Sequence, residues 1–174
     1  SGIELGEGWR TPIIAFELAR TPEDLAFLAG AAAEPVRLAM DAGHQLDTVF
    51  PFFYAGLLGA SLTSTTVRGK ARVGGLIAAA GIVPLDLWEN HVLGTLVAEL
   101  RAGGTGVEGL AQLPLATWSK WGLIAVVLAG VAAAVRHERA WVAAACALGA
   151  ASVPLAWATG HPWAGESMAA LVAV

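Results

Sequence analysis

Spanning a hydrocarbon layer of ~30 Å takes ~20 mainly apolar residues in a helix. Four stretches of this sequence reach that length: Leu46–Thr66, Val73–Leu100, Leu115–Val135 and Ala140–Thr159. No other feature constrains the fold as much, because in lipid every backbone polar group must be satisfied inside the segment that crosses. The expected fold class is all-α: a polytopic membrane protein with a four-transmembrane-helix bundle over residues 44–174. Composition agrees, with 56% hydrophobic and only 14% charged residues among 174. Soluble domains carry about 25% charged residues. Disorder and coiled coils are excluded on the same ground. Ten Lys and Arg against fourteen Asp and Glu leave a net charge of −4 and no basic surface for nucleic acid. A single cysteine, Cys146, excludes an internal disulfide framework.

The third and fourth stretches repeat alanine every four residues, at Ala125, Ala129 and Ala133 and at Ala143, Ala147 and Ala151. Small residues at that spacing let helices approach closely in lipid. Cytoplasmic loops collect Lys and Arg. Arg68, Lys70 and Arg72 lie between the first two stretches, Arg136 and Arg139 between the last two, and only Arg101 in the glycine-rich loop between. Both termini are therefore expected outside, across an inner (plasma) membrane of bacterial type. Trp118, Trp121, Trp157 and Trp163 should then belong to an outer aromatic belt and Trp141 to an inner one.

Residues 1–43 are different material, too charged to span. Thr11-Pro12 and Thr21-Pro22-Glu23-Asp24 are both helix starts, a cap followed by proline and then by acids in the second case. The expectation is an amphipathic helical hairpin on the outer surface, kinked at Pro35, with Arg37 and Asp41 spaced as an i,i+4 pair. The last residues, from Gly165, are too few to span and are expected to form an interfacial foot.

Ionisable residues inside a span are costly and point to function. The second stretch holds Asp86, Glu89, Asn90 and His91, just after Pro84. At 100° per residue, Asp86, Glu89 and Asn90 share an arc of about 100°, and His91 points elsewhere. Counted at 1.5 Å per residue, Asp86, Glu89, Tyr54 and Lys120 fall within one layer, ~18–24 Å from the inner side, with Asp47 ~28 Å up. Asp47, Tyr54, Asp86, Glu89, Asn90 and Lys120 are thus the candidate ligand-binding residues. Excess carboxylate in that layer predicts binding of a cation or a cationic or lipid headgroup, in a binding or transport module. A mixed transition-metal set of Asp86, Glu89, His44 and His91 is the metal-binding variant. Bis-histidine haem ligation is not expected, because the histidines sit near span ends. Two other functions fit the same residues. Paired carboxyls with separated pKa values suit an intramembrane acid/base enzyme acting on a lipid or isoprenoid. A small chain with few loops also suits an accessory subunit of a larger membrane complex, or a homo-oligomer. Membrane lipids are partners on any of these readings.

Overall fold

The computed structural model describes residues 5–65 and 67–173. Over these the chain is 82% helical, without strands. Seven α-helices follow in order: α1 (Pro12–Glu17), α2 (Glu34–Asp47), α3 (Phe50–Thr63), α4 (Gly69–Arg101), α5 (Val107–Val135), α6 (Ala140–Thr159) and α7 (Pro162–Ala173). Two short 3-10 turns, Pro22–Leu28 and Ala31–Ala33, join α1 to α2. Three helices, α4, α5 and α6, are long and apolar enough to cross a membrane, and a fourth crossing arises if the bent pair formed by Ala31–Asp47 and Phe50–Thr63 counts as one span.

That bent pair corrects the first expected span. Leu46–Thr66 is not one continuous helix: α2 ends at Asp47, and the chain turns by 42° before α3 begins at Phe50. The reason lies in two residues. Pro51 has no N–H to give and fits only the first turn of α3. The Thr48 hydroxyl and N–H both go back to the His44 carbonyl, which closes α2. Thr66, the last residue of the expected span, lies outside the described residues.

The amino-terminal segment caps one end of the α4–α5 hairpin. Prolines open both of its expected helices, and the Asp24 carboxylate accepts the N–H groups of Arg20 and Thr21, each at 2.9 Å. Pro35 does not kink a helix here. It sits in the first turn of α2, after a break at Gly30 whose φ of 72° suits glycine. Arg37 is not paired with Asp41 either. Its guanidinium is buried, donating to the carbonyls of Leu28 and Gly30 at 2.7 and 2.8 Å and pairing with Glu34 at 2.8 Å. Asp41 instead pairs with Arg101 at 2.8 Å, which fastens α2 to the end of α4.

Two apolar cores result, one above the other along the α4–α5 hairpin. The cap core joins Phe16, Leu25 and Leu28 to Leu93, Leu96 and Leu113. The span core joins Leu62 and Ile82 to Trp121, Ile124, Val127, Val153 and Met168. A Cβ at Gly109 would lie 2.5 Å from Leu96 Cγ, so this glycine sets how closely α4 and α5 approach. The carboxyl-terminal residues do more than rest on a surface. Helix α7 folds back along α6, burying Ala164 and Met168 in the span core. Outward from that core lie Phe53, Leu57, Ile77, Val126 and Leu148, all exposed. A large exposed apolar surface of this kind is what a lipid-facing wall requires.

Candidate functional site

Between the two cores lies a single polar layer, built on five helices. Asp86, Glu89 and Asn90 project from one face of α4, and each is buried. Lys120 comes from α5, also buried, and reaches Asp86 at 3.2 Å and Glu89 in a shorter ion pair. Tyr54 of α3 donates its hydroxyl to Asp86 at 3.0 Å. The Asn90 amide donates to the other oxygen of Asp86 at 3.4 Å and to the Asp47 carbonyl at 3.3 Å. All six ligand-binding candidates therefore stand in or beside one layer. Asp47 joins it through its backbone carbonyl and also lines a neighbouring cavity.

Sequence spacing missed the seventh member. Glu17, the last residue of α1, is buried and stands 3.5 Å from Lys120 Nζ. Trp121 donates its indole N–H to the same carboxylate at 3.3 Å, and the Thr117 hydroxyl donates to the Glu17 carbonyl at 3.1 Å. Trp121 is thus a buried member of the site and not part of an aromatic belt, whereas Trp141, Trp157 and Trp163 are exposed. Glu17 arrives here because Ile14, Ala15 and Phe16 are buried with it, pulling α1 into the bundle. The available signal was the run Pro12-Ile13-Ile14-Ala15-Phe16 ending on an acid, a short helix apolar enough to be buried.

Three buried carboxyls around one ammonium leave the layer short of positive charge. Burying a charge is costly unless it is paired and hydrogen-bonded. Burial pushes the Glu17 carboxyl above the ordinary glutamate range, and the Lys120 charge opposes this without cancelling it. Two oxygens in the layer, Glu89 Oε1 and Asn90 Oδ1, are buried with no hydrogen-bond donor. The single proton of the adjacent Thr117 hydroxyl is already used by the Glu17 carbonyl. The layer therefore has unfilled acceptor capacity.

A cavity of about 460 Å³ opens beside the layer, between α1 and α2. Ile13, Val36 and Met40 form its apolar wall, and Glu17, His44 and Asp47 form its polar one. His44 faces inward, its Nε2 against the Asn90 carbonyl, which makes that nitrogen the donor. The histidine-carboxylate metal set is not assembled. His91 is exposed and His44 is engaged with Asn90, and among the described residues no group of three or more His, Cys, Asp or Glu is placed to hold a metal ion.

At the far end of α1 a second carboxylate acts as a cap. Glu166 of α7 accepts the N–H groups of Arg10 and Thr11 at 2.9 and 2.7 Å and the Thr11 hydroxyl at 2.6 Å. Partial burial pushes this carboxyl up, but the hydrogen bonds from Thr11 and the backbone hold it below the ordinary glutamate range.

No family model matches the chain, and no curated protein or solved structure is similar to it.

Proposed function

We propose that the chain is a binding or transport module for a small organic cation, such as the amine headgroup of a lipid, taken up through the cavity between α1 and α2. The observation that carries this reading is the shortage of positive charge around Lys120 next to a cavity with two acids on its wall. Glu17 belongs to both, lying against Lys120 and lining the cavity. The cavity volume of about 460 Å³ lies within the usual range for small-molecule sites. It is far larger than a bare ion needs. An apolar wall facing two carboxylates suits an alkylammonium group better than a hydrated metal ion. Asp86 and Glu89 turn into the bundle and so are not presented to a partner subunit, which favours binding over an accessory role.

In this reading α3, extended by the carboxyl-terminal end of α2, makes the first of four crossings. Both termini, the cap and the cavity mouth lie on the outer side, because Lys and Arg gather at the opposite end. The amine would enter from the outer leaflet, and Lys120 is its internal competitor for the acids. Protonation of Glu17 removes one acceptor, so loading weakens as pH falls through the raised Glu17 pKa.

Trp121 reports on the site because its indole N–H is bonded to Glu17. Ethanolamine titrated into the detergent-solubilised full chain should change tryptophan emission saturably, and Trp121→Phe should abolish that change. Binding followed by calorimetry should be lost in Glu17→Gln and weakened in Asp86→Asn, which keep the side-chain volumes. Saturation that is the same in wild type and both variants, or no saturation at all, overturns the reading.

A further inference from the structure

Far from the polar layer, at the other end of the bundle, a second cavity of about 460 Å³ runs between α3, α4 and α5. Its walls are apolar and small: Leu62, Gly75, Val126 and Gly130 line it, and Arg136 and His137 stand at its mouth. From Val126 to Arg136 is ten residues of helix and turn, a run of about 15 Å. That matches one leaflet of a hydrocarbon core ~30 Å thick.

The charge around the mouth is one-sided. The connection from α3 to α4 carries Arg68, Lys70 and Arg72, and the one from α5 to α6 carries Arg136 and Arg139. Five of the ten basic residues thus gather here, against one acid, Glu138. Among the described residues none of these five is in a salt bridge, and the Arg136 Nε–H donates to the His137 ring at 3.0 Å. A groove one leaflet deep, apolar along its length and cationic at its mouth, has the chemistry of a lipid with an anionic headgroup. Basic pockets between membrane helices hold such headgroups.

We propose that this groove seats one acyl chain of an anionic phospholipid, with its phosphate held at Arg136 and His137. The chain lies against Val126 and Gly130, where the missing side chain of Gly130 leaves room beside Leu62. The groove does not share a residue with the polar layer, so the proposal stands apart from the amine-binding reading.

Native mass spectrometry of the full chain in detergent tests it, with equal amounts of phosphatidylglycerol and phosphatidylcholine of the same acyl chains. Phosphatidylglycerol should be retained selectively. Arg136→Gln should cut that selectivity about fivefold, the value of one cationic group near an anionic headgroup, and Arg136→Lys should keep most of it. Ala134→Phe, which fills the groove wall, should lose both lipids while its helical circular dichroism stays unchanged. If that variant loses helicity, the two Arg136 variants decide alone. Equal retention of the two lipids, selectivity unmoved by Arg136→Gln, or an adduct that survives in a folded Ala134→Phe would overturn the proposal. Displacement of phosphatidylglycerol by an equal concentration of glycerol phosphate would also overturn it, because a soluble phosphate would then be the occupant.

Discussion

Helix α1 is six residues long, and each of its ends is held by a glutamate in a different way. At its start Glu166 is half-exposed and answered by three donors, Arg10 N–H, Thr11 N–H and the Thr11 hydroxyl. At its end Glu17 is buried and shares one ammonium with two other carboxylates. The same functional group is held below its ordinary pKa at one end and above it at the other. The difference comes from supply: donors outnumber the carboxylate oxygens at the start, while at the end carboxylates outnumber the cation. A short helix with no side-chain cap of its own is thereby fixed at both ends, firmly at one and conditionally at the other.

The most severe way to break this comparison is to remove the cation. Lys120→Met keeps an unbranched chain of similar length but leaves Glu17, Asp86 and Glu89 without a counter-charge. Removing one partner of a buried ion pair costs about 3–5 kcal/mol. Denaturant unfolding in detergent should show a loss of that order, with hydrogen exchange across α1 accelerated first. An unchanged midpoint would mean that the three carboxyls are already neutral without Lys120.

Glu166→Gln is a smaller disturbance at the other end. The amide oxygen still accepts, but it loses charge assistance on donors that are partly exposed, a cost of about 1–2 kcal/mol. A carboxyl held below its ordinary range stabilises the fold above its unfolded pKa and stops doing so as pH falls through the folded value. Protection of the Ala15 and Leu18 amides, which close α1 onto Thr11 and Ile14, should therefore fall in acid relative to their intrinsic exchange rates. Glu166→Gln should remove that acid limb. Retention of the limb would assign it to another group.

Glu17→Gln should move stability least, and it sharpens the contrast through its sign. A carboxyl raised by burial favours the fold while protonated, so its contribution is complete below the unfolded pKa and lost as pH rises through the folded one. The α1 amides of wild type should accordingly loosen on the alkaline side too. In Glu17→Gln, a permanent mimic of the neutral acid, that alkaline limb should vanish while the acid limb from Glu166 remains. An alkaline limb that survives would place the titrating group elsewhere in the layer.

Depth and helical phase alone were enough to gather Tyr54, Asp86, Glu89, Asn90 and Lys120, because each lies on a helix whose register is fixed over several turns. The long apolar stretches behind α4, α5 and α6 were legible for the same reason. Glu17 was not, since its position depends on which way a six-residue helix folds back, and no periodicity records that. Arg37 illustrates the same limit: a spacing rule pairs it with Asp41, but the end of a 3-10 turn at Leu28 and the break at Gly30 each offer it a carbonyl instead. The break between α2 and α3 was within reach of the sequence, because Pro51 and Thr48 both argue against an uninterrupted span.

On the proposed membrane reading, the two apolar cores have different solvents. Helix α4, at 33 residues, is about 50 Å long, so about 20 Å of it exceeds a hydrocarbon layer of ~30 Å. The excess at the cap end carries Leu93 and Leu96, which pack with Phe16 and Leu25. Unfolding those residues exposes them to water, with the positive heat-capacity increment of apolar hydration. Separating the helices of the span core exchanges contacts with leucine for contacts with lipid tails, which are equally apolar. Cold therefore weakens the cap and leaves the span core almost untouched, so on cooling α1 would part from the polar layer before the helices beneath it separate.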